Sequence, residues 1–199
     1  LIAKIGEKDH FTEEAVVTGQ VTQPVHGSHT GQLRILLVFF QPMGIHQLFG
    51  TDMATLTNTS LPLREFLGQP RADELLKKLT SNQDDEHQVS VLDDFFSQQT
   101  IVQNEVLTGF RKVLDIIHGK EGVVNISELE KTGLYNRKTL ERHFNKIVGI
   151  SPKVYCQIYQ FKCLINFLQT HPGITWAQLA NQSGYYDQSH MSRYVREYL

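Results

Sequence analysis

Lys138, Glu141 and Arg142 stand within five residues of one another, and Gln188, Ser189, His190, Ser192 and Arg193 fill the corresponding stretch 51 residues later. An arginine guanidinium presents a planar fork of donors that fits the O6/N7 edge of guanine, a glutamate accepts from cytosine N4, and a glutamine pairs with adenine. Lysine, serine and histidine serve base edges or phosphates. With Arg137 beside them, these residues suit the reading of a polyanion that carries hydrogen-bonding edges. The rival reading pairs Arg142 with Glu141 or Glu130 as a structural ion pair. Asp187, whose carboxylate would repel a phosphate, reads instead as a helix N-cap that satisfies free backbone N–H groups.

Such side chains need rigid elements to aim them, and the sequence supplies the same ones twice. Ile126 and Leu129 mark a short helix, Gly133 a turn, and Leu140, Arg142 and Phe144 a second helix; Trp176, Leu179, Gly184, Met191, Arg193 and Val195 repeat the pattern. The first helices are offset by 50 residues and the second by 51, so one turn is a residue longer. Agreement at apolar positions and at the arginine, with variation at the surface, points to two copies of one helix-turn-helix unit, at about 126–148 and 176–199. Two unrelated helical hairpins remain the bland alternative. Between them, Gly149-Ile150-Ser151-Pro152 ends one helix and starts another. Val154, Ile158, Phe161, Leu164, Ile165 and Leu168 then form one stripe of a connecting helix over about 152–170. Roughly 18 residues at about 1.5 Å each give a rod near 27 Å, comparable to the roughly 34 Å between successive major-groove faces of a duplex.

Three stretches, Arg137-Lys138-Thr139-Leu140-Glu141-Arg142-His143-Phe144, Gly149-Ile150-Ser151-Pro152, and Gly184-Tyr185-Tyr186-Asp187-Gln188-Ser189-His190-Met191-Ser192-Arg193, resemble the DNA-binding domain of AraC/XylS-type transcription regulators in order and spacing. The resemblance implies double-stranded DNA as partner, contacted by Arg137, Lys138, Glu141, Arg142, Gln188, Ser189, His190, Ser192 and Arg193, with the first unit supplying more of the sequence reading. It also implies a small-molecule effector in an N-terminal sensor domain, and RNA polymerase and a second copy of the chain as further partners. Three positions depart from the pattern. Glu130 replaces a usual Ala, Leu134 occupies a turn position commonly held by Gly, and Val195 replaces a usual Phe. Glu130 must point outward or find a partner to avoid burying a charge.

Charge divides the chain. Residues 103–199 hold 12 Lys and Arg against 8 Asp and Glu, whereas residues 1–102 hold 7 against 13. A net charge of -2 thus hides a basic C-terminal half, as expected when one domain meets a polyanion. The N-terminal half reads as β-rich, with strands at Ala15–Thr22 and Leu33–Phe40 around the turn-rich Gly27–Gly31. Gln41-Pro42-Met43-Gly44 and Leu48-Phe49-Gly50 read as breaks between further short β elements. Phe39–Gly44 and Leu48–Gly50 are similar to sensor domains of some AraC-type regulators. Since the chain opens at Leu1 without an initiator Met, the sheet or barrel is expected to be incomplete. Helical stripes follow over Leu61–Leu79, broken at Gly68 and Pro70, over Val89–Phe96, and over Val106–Ile117.

The expected class is α+β: an incomplete, barrel-like β-rich sensor and dimerisation domain with trailing helices at 1–102, then an all-α DNA-binding domain at 103–199 opened by the Val106–Ile117 helix. No enzyme is expected, because neither a phosphate-cradling glycine loop nor a nucleophile elbow occurs. Neither metal nor cofactor is expected: His26, His29 and His46 lack an accompanying carboxylate pattern, and Cys156 and Cys163, seven apart on a helix, read as packing residues. No apolar run approaches the ~20 residues of a membrane span, so the expected location is the cytoplasm. A ligand-binding or protein-interaction module with residual or lost DNA affinity stays open as the alternative.

Overall fold

The computed structural model describes residues 2–5, 8–11 and 15–198. Leu1, on which the incomplete-chain expectation rests, and Leu199, the end of the second expected unit, lie outside them. The chain divides into two compact units, one of residues 1–102 with Ile147–Gly149, the other of residues 103–146 with 150–199.

The first unit mixes short strands and helices, as an α+β chain should. Strand β1 (Ile2–Ile5) pairs antiparallel with β2 (Lys8–Phe11), and β3 (Val16–Thr18) follows. Strand β4 (Val25–Ser28) takes the other edge of β1, with Ile2 opposite Ser28. After helix α1 (Gly44–Phe49), strand β5 (Ser60–Pro62) pairs antiparallel with β3. Helices α2 (Leu63–Leu67), α3 (Gln69–Ser81) and α4 (Asp85–Ser97) complete the unit. A small core joins Ile45, Met53 and Leu56 to Val17, Phe40, Phe49, Leu61 and Phe66.

Three expectations need correction here. The strand read over Ala15–Thr22 is confined to β3. The apolar run Leu33–Phe40 forms no strand, because no main-chain ladder holds it among the described residues. Arg34 is tied to Asp85 at 2.5 Å and Phe40 meets Phe96 edge-on at 5.4 Å, yet Phe39 is 88% exposed. Finally, Gly44–Phe49 is helical where β breaks were expected: Gly50 adopts φ 68° and its N–H bonds His46 O at 2.9 Å, closing α1 with the left-handed turn that glycine allows.

The second unit is all helical. Helix α5 (Glu105–Gly119) buries Leu107, Phe110, Val113, Leu114 and Ile117, one face at helical spacing. Then come α6 (Ile126–Lys131), α7 (Arg137–Val148), α8 (Pro152–Thr170), α9 (Trp176–Gln182) and α10 (Gln188–Tyr198). Ser151 caps α8 by accepting from Val154 N at 3.3 Å, with Pro152 at its first position.

The repeat is longer than the sequence reading made it. Adding 51 to Leu107, Phe110, Val113, Leu114 and Ile117 gives Ile158, Phe161, Leu164, Ile165 and Leu168, the apolar stripe of α8. Helix α8 is therefore both connector and the first helix of a second three-helix unit. In the first, Phe110 meets Phe144 edge-on at 4.8 Å. In the second, Leu164 packs with Leu179, Ala180, Tyr185 and Met191, with Phe161, Ile165, Leu168 and Val195 around them. Val195 joins this core despite lacking the bulk of the Phe it replaces.

Candidate nucleic-acid interface

Both copies are aimed by the same local devices. Asn125 Oδ1 accepts from Glu128 N at 2.9 Å to start α6; 50 residues on, Thr175 Oγ1 accepts from Gln178 N at 3.3 Å to start α9, and the Gln178 side chain bonds back to Thr175 N at 3.1 Å. These side chains satisfy N–H groups that a helix start leaves without partners. The turns close on Gly133 (φ 73°) and Gly184 (φ 71°), a left-handed backbone that a Cβ strains. Gly133 thus supplies the glycine of the first turn, and Leu134 is a half-buried neighbour whose backbone is under no such demand. The second helices are capped alike: Asn136 Oδ1 accepts from Thr139 N at 2.9 Å and Asp187 Oδ1 from His190 N at 2.7 Å. Asp187 is the cap that its sequence context indicated.

With Leu140 and Phe144 buried in α7, helical geometry turns Lys138 and Arg142 outward, and both are exposed. Neither makes a hydrogen bond or ion pair with a described residue. In α10, Met191 is buried, and Ser189 and Arg193 take the matching exposed places. Gln188 and His190 are exposed at the start of α10, and Ser192 is half-buried at its flank. His190 also meets the Tyr185 ring edge-on at 5.7 Å.

Glu141, the expected cytosine acceptor, has a partner within the protein. Half-buried on the flank of α7, it accepts from Arg137 Nε at 3.1 Å, the (i, i+4) neighbour. Its partner is thus Arg137 and not Arg142. Glu130, the charge that needed an outlet, reaches the start of the same helix, where Oε1 accepts from Arg137 N at 2.8 Å. A carboxylate at a helix N-terminus is favoured by the dipole.

Three exposed residues on these faces escaped the sequence reading. Asn145 and Lys146 continue the outward side of α7 beyond Arg142, and Arg196 continues that of α10 beyond Arg193. The signal lay in the spacing. Lys138, Arg142 and Lys146 run at i, i+4, i+8, and Asn145 and Arg196 are equivalent at the 51-residue offset. Lys146 and Arg196 add cations to the two faces, and Asn145 adds an amide suited to an adenine edge.

His143 lies against the inner side of α7, edge-on to Tyr135 at 4.7 Å, with Nδ1 buried and lacking a hydrogen-bond partner. Burial pushes its pKa down, and the Arg142 and Lys146 cations add to that shift. The pair Tyr135 and Tyr186 shows where the repeat breaks. Tyr135 donates to Val106 O at 2.8 Å and its hydroxyl occupies the space over Gly109. The equivalent of Gly109 is Gln160, whose side chain donates to Ser183 O at 2.8 Å, and Tyr186 is 94% exposed.

Among the described residues no His, Cys, Asp and Glu group can hold a metal ion, and no helix is long and apolar enough to cross a membrane. Cys156 and Cys163 are unbridged. Burial pushes the Cys156 thiol up to about 11, which leaves it protonated and a poor nucleophile.

Comparison with known proteins fits this geometry. Residues 133–199 match the family model of a helix-turn-helix domain, and residues 1–62 match a domain of unknown function (DUF6597). No curated protein and no solved structure matches the chain. The C-terminal third of the chain is thus similar to helix-turn-helix domains of the AraC type, and it lies behind an N-terminal domain of unknown function.

Proposed function

We propose that the chain reads a specific operator with α7 and α10 in two adjacent major-groove segments of one duplex, and that its N-terminal unit controls that engagement. The observation that carries this reading is the pair of matched outward faces, Lys138, Arg142 and Asn145 on α7 and Ser189, Arg193 and Arg196 on α10, each held by the same cap, turn and buried face. The 19 residues of α8 span about 28 Å, close to the roughly 34 Å that separates equivalent faces of the groove. Lys138 and Arg142 are the principal base readers of the first unit and Arg193 that of the second. Arg196, Lys146, Gln188 and Ser189 grip phosphates, while His190 and Ser192 flank the second contact. Arg137 and Glu141, engaged with each other, lie at the edge of the first contact. Residues 1–102 form the sensor and dimerisation domain and residues 103–199 the DNA-binding domain. A small-molecule effector, a second copy of the chain and RNA polymerase are the partners through which binding becomes regulation.

Selection of bound fragments from genomic DNA, followed by titration of wild type and Arg142→Ala on a recovered site, tests this. Loss of a bidentate guanine contact should cost about 1 to 3 kcal/mol at that site. Equal affinity of the two proteins would remove Arg142 from the readout, and failure of wild type to bind any fragment would favour a module that has lost its DNA affinity.

A further inference from the structure

Among the described residues of the two recognition helices, Arg137 is the one cation that carries two carboxylates with it. Glu130 holds its backbone N–H at 2.8 Å and Glu141 its side-chain Nε at 3.1 Å. The repeat supplies an internal comparison. The residues equivalent to Glu130, Arg137 and Glu141 are Ala180, Gln188 and Ser192, all neutral. The first unit thus gains a cation and two anions at once, a net change of one negative charge, at the end of the helix that meets the duplex.

We infer that Glu130 and Glu141 are positioning residues that restrain the first recognition helix on DNA. They keep the Arg137 backbone and guanidinium engaged within the protein and place negative charge beside the phosphates, so sequence-independent grip falls while readout by Lys138 and Arg142 is untouched. Non-specific affinity is set by the number of phosphates neutralised, each worth a slope of about 0.9 in log affinity against log salt. An arginine committed to a carboxylate is withheld from that number. The ion pair is exposed and weak by itself, so its effect lies in charge placement and not in stability. This inference rests on the DNA-binding reading above and goes beyond it by giving two carboxylates a role in specificity.

The test uses the full chain and two isosteric variants, Glu130→Gln and Glu141→Gln, each of which keeps an acceptor in place and removes the charge. Binding to a mixed-sequence 30-base-pair duplex is followed across a salt series. Both variants are expected to bind about three- to tenfold more tightly than wild type at low salt, and Glu141→Gln to show a slope steeper by about 0.9, the signature of one more phosphate contact. Adding Arg137→Gln to Glu141→Gln should return the slope to that of wild type, and site selection with Glu141→Gln should recover the wild-type sequence preference. Unchanged affinity and slope in both variants would overturn the inference while leaving the DNA-binding reading intact. Loss of preference at a single cytosine in Glu141→Gln would also overturn it, by making Glu141 a base reader. Failure of the wild type to bind any duplex would instead overturn the DNA-binding reading on which it rests.

Discussion

At the scale of single residues, Arg137 and Glu141 are engaged with each other, while Lys138 and Arg142 are exposed on the same helix. The outward placement of Lys138, Arg142, Ser189 and Arg193 was legible because periodicity around Leu140 and Met191 forces it. The commitment of Glu141 to Arg137 was not, since Arg137, Arg142 and Lys138 all lie within reach of a residue at that position and only packing chooses among them. Glu130 shows the same limit: a charge in a short helix signals a problem, and its solution, the N–H of Arg137, lies across a turn. The cysteines give a further expectation. With its thiol held high by burial, Cys156 should react with a disulfide reagent far more slowly in the native protein than the half-buried Cys163, and the two should equalise on unfolding. Equal native rates would contradict the burial assigned to Cys156.

The elements show why one chain carries two units so alike in framework and so different in surface. Their turn glycines, their buried positions and the Asp187 cap were legible, because each answers a demand that few residues meet, whereas the caps Asn125, Asn136 and Thr175 emerge only from the structure. The strand read over Leu33–Phe40 failed for the opposite reason. Alternation and β-branching describe a surface that fits a sheet, while a strand exists only beside a partner, which a local pattern does not specify. The recurrence of the α5 stripe in α8 was missed because α8 also fits the role of spacer. The turns yield a comparative expectation. In Gly133→Ala the added Cβ meets open space, so only the left-handed backbone is strained, at about 1 kcal/mol. In Gly184→Ala the Cβ also falls 2.6 Å from Val123 Cγ2, and the loss should exceed that of Gly133→Ala by about 1 to 2 kcal/mol. Chemical denaturation of the two variants measures the difference, and equal losses would place Val123 elsewhere.

For the whole molecule, acidification should weaken the fold. His118 and His143 both have pKa values lowered chiefly by burial. A histidine whose folded pKa lies below its unfolded value of about 6.5 favours the folded state in its neutral form. That contribution is complete above about 6.5 and is lost as pH falls through the folded value. The thermal midpoint should therefore drop between about pH 7.5 and 5.5, and a His143→Gln variant should show a smaller drop. A midpoint that rises with acid would mean that these rings are protonated in the native state. The acidic first half and the basic second half also predict steep salt dependence of DNA binding carried by residues 103–199.

The most direct test of the whole account is a footprint of the full chain on a site recovered from genomic DNA, compared with those of Arg142→Ala and Arg193→Ala. Protection is expected on one face of the duplex in two major-groove segments about 10 base pairs apart, with Arg142→Ala weakening one segment and Arg193→Ala the other. Protection of a single segment, or loss of the same segment in both variants, would contradict the claim that α7 and α10 read DNA as a tandem pair.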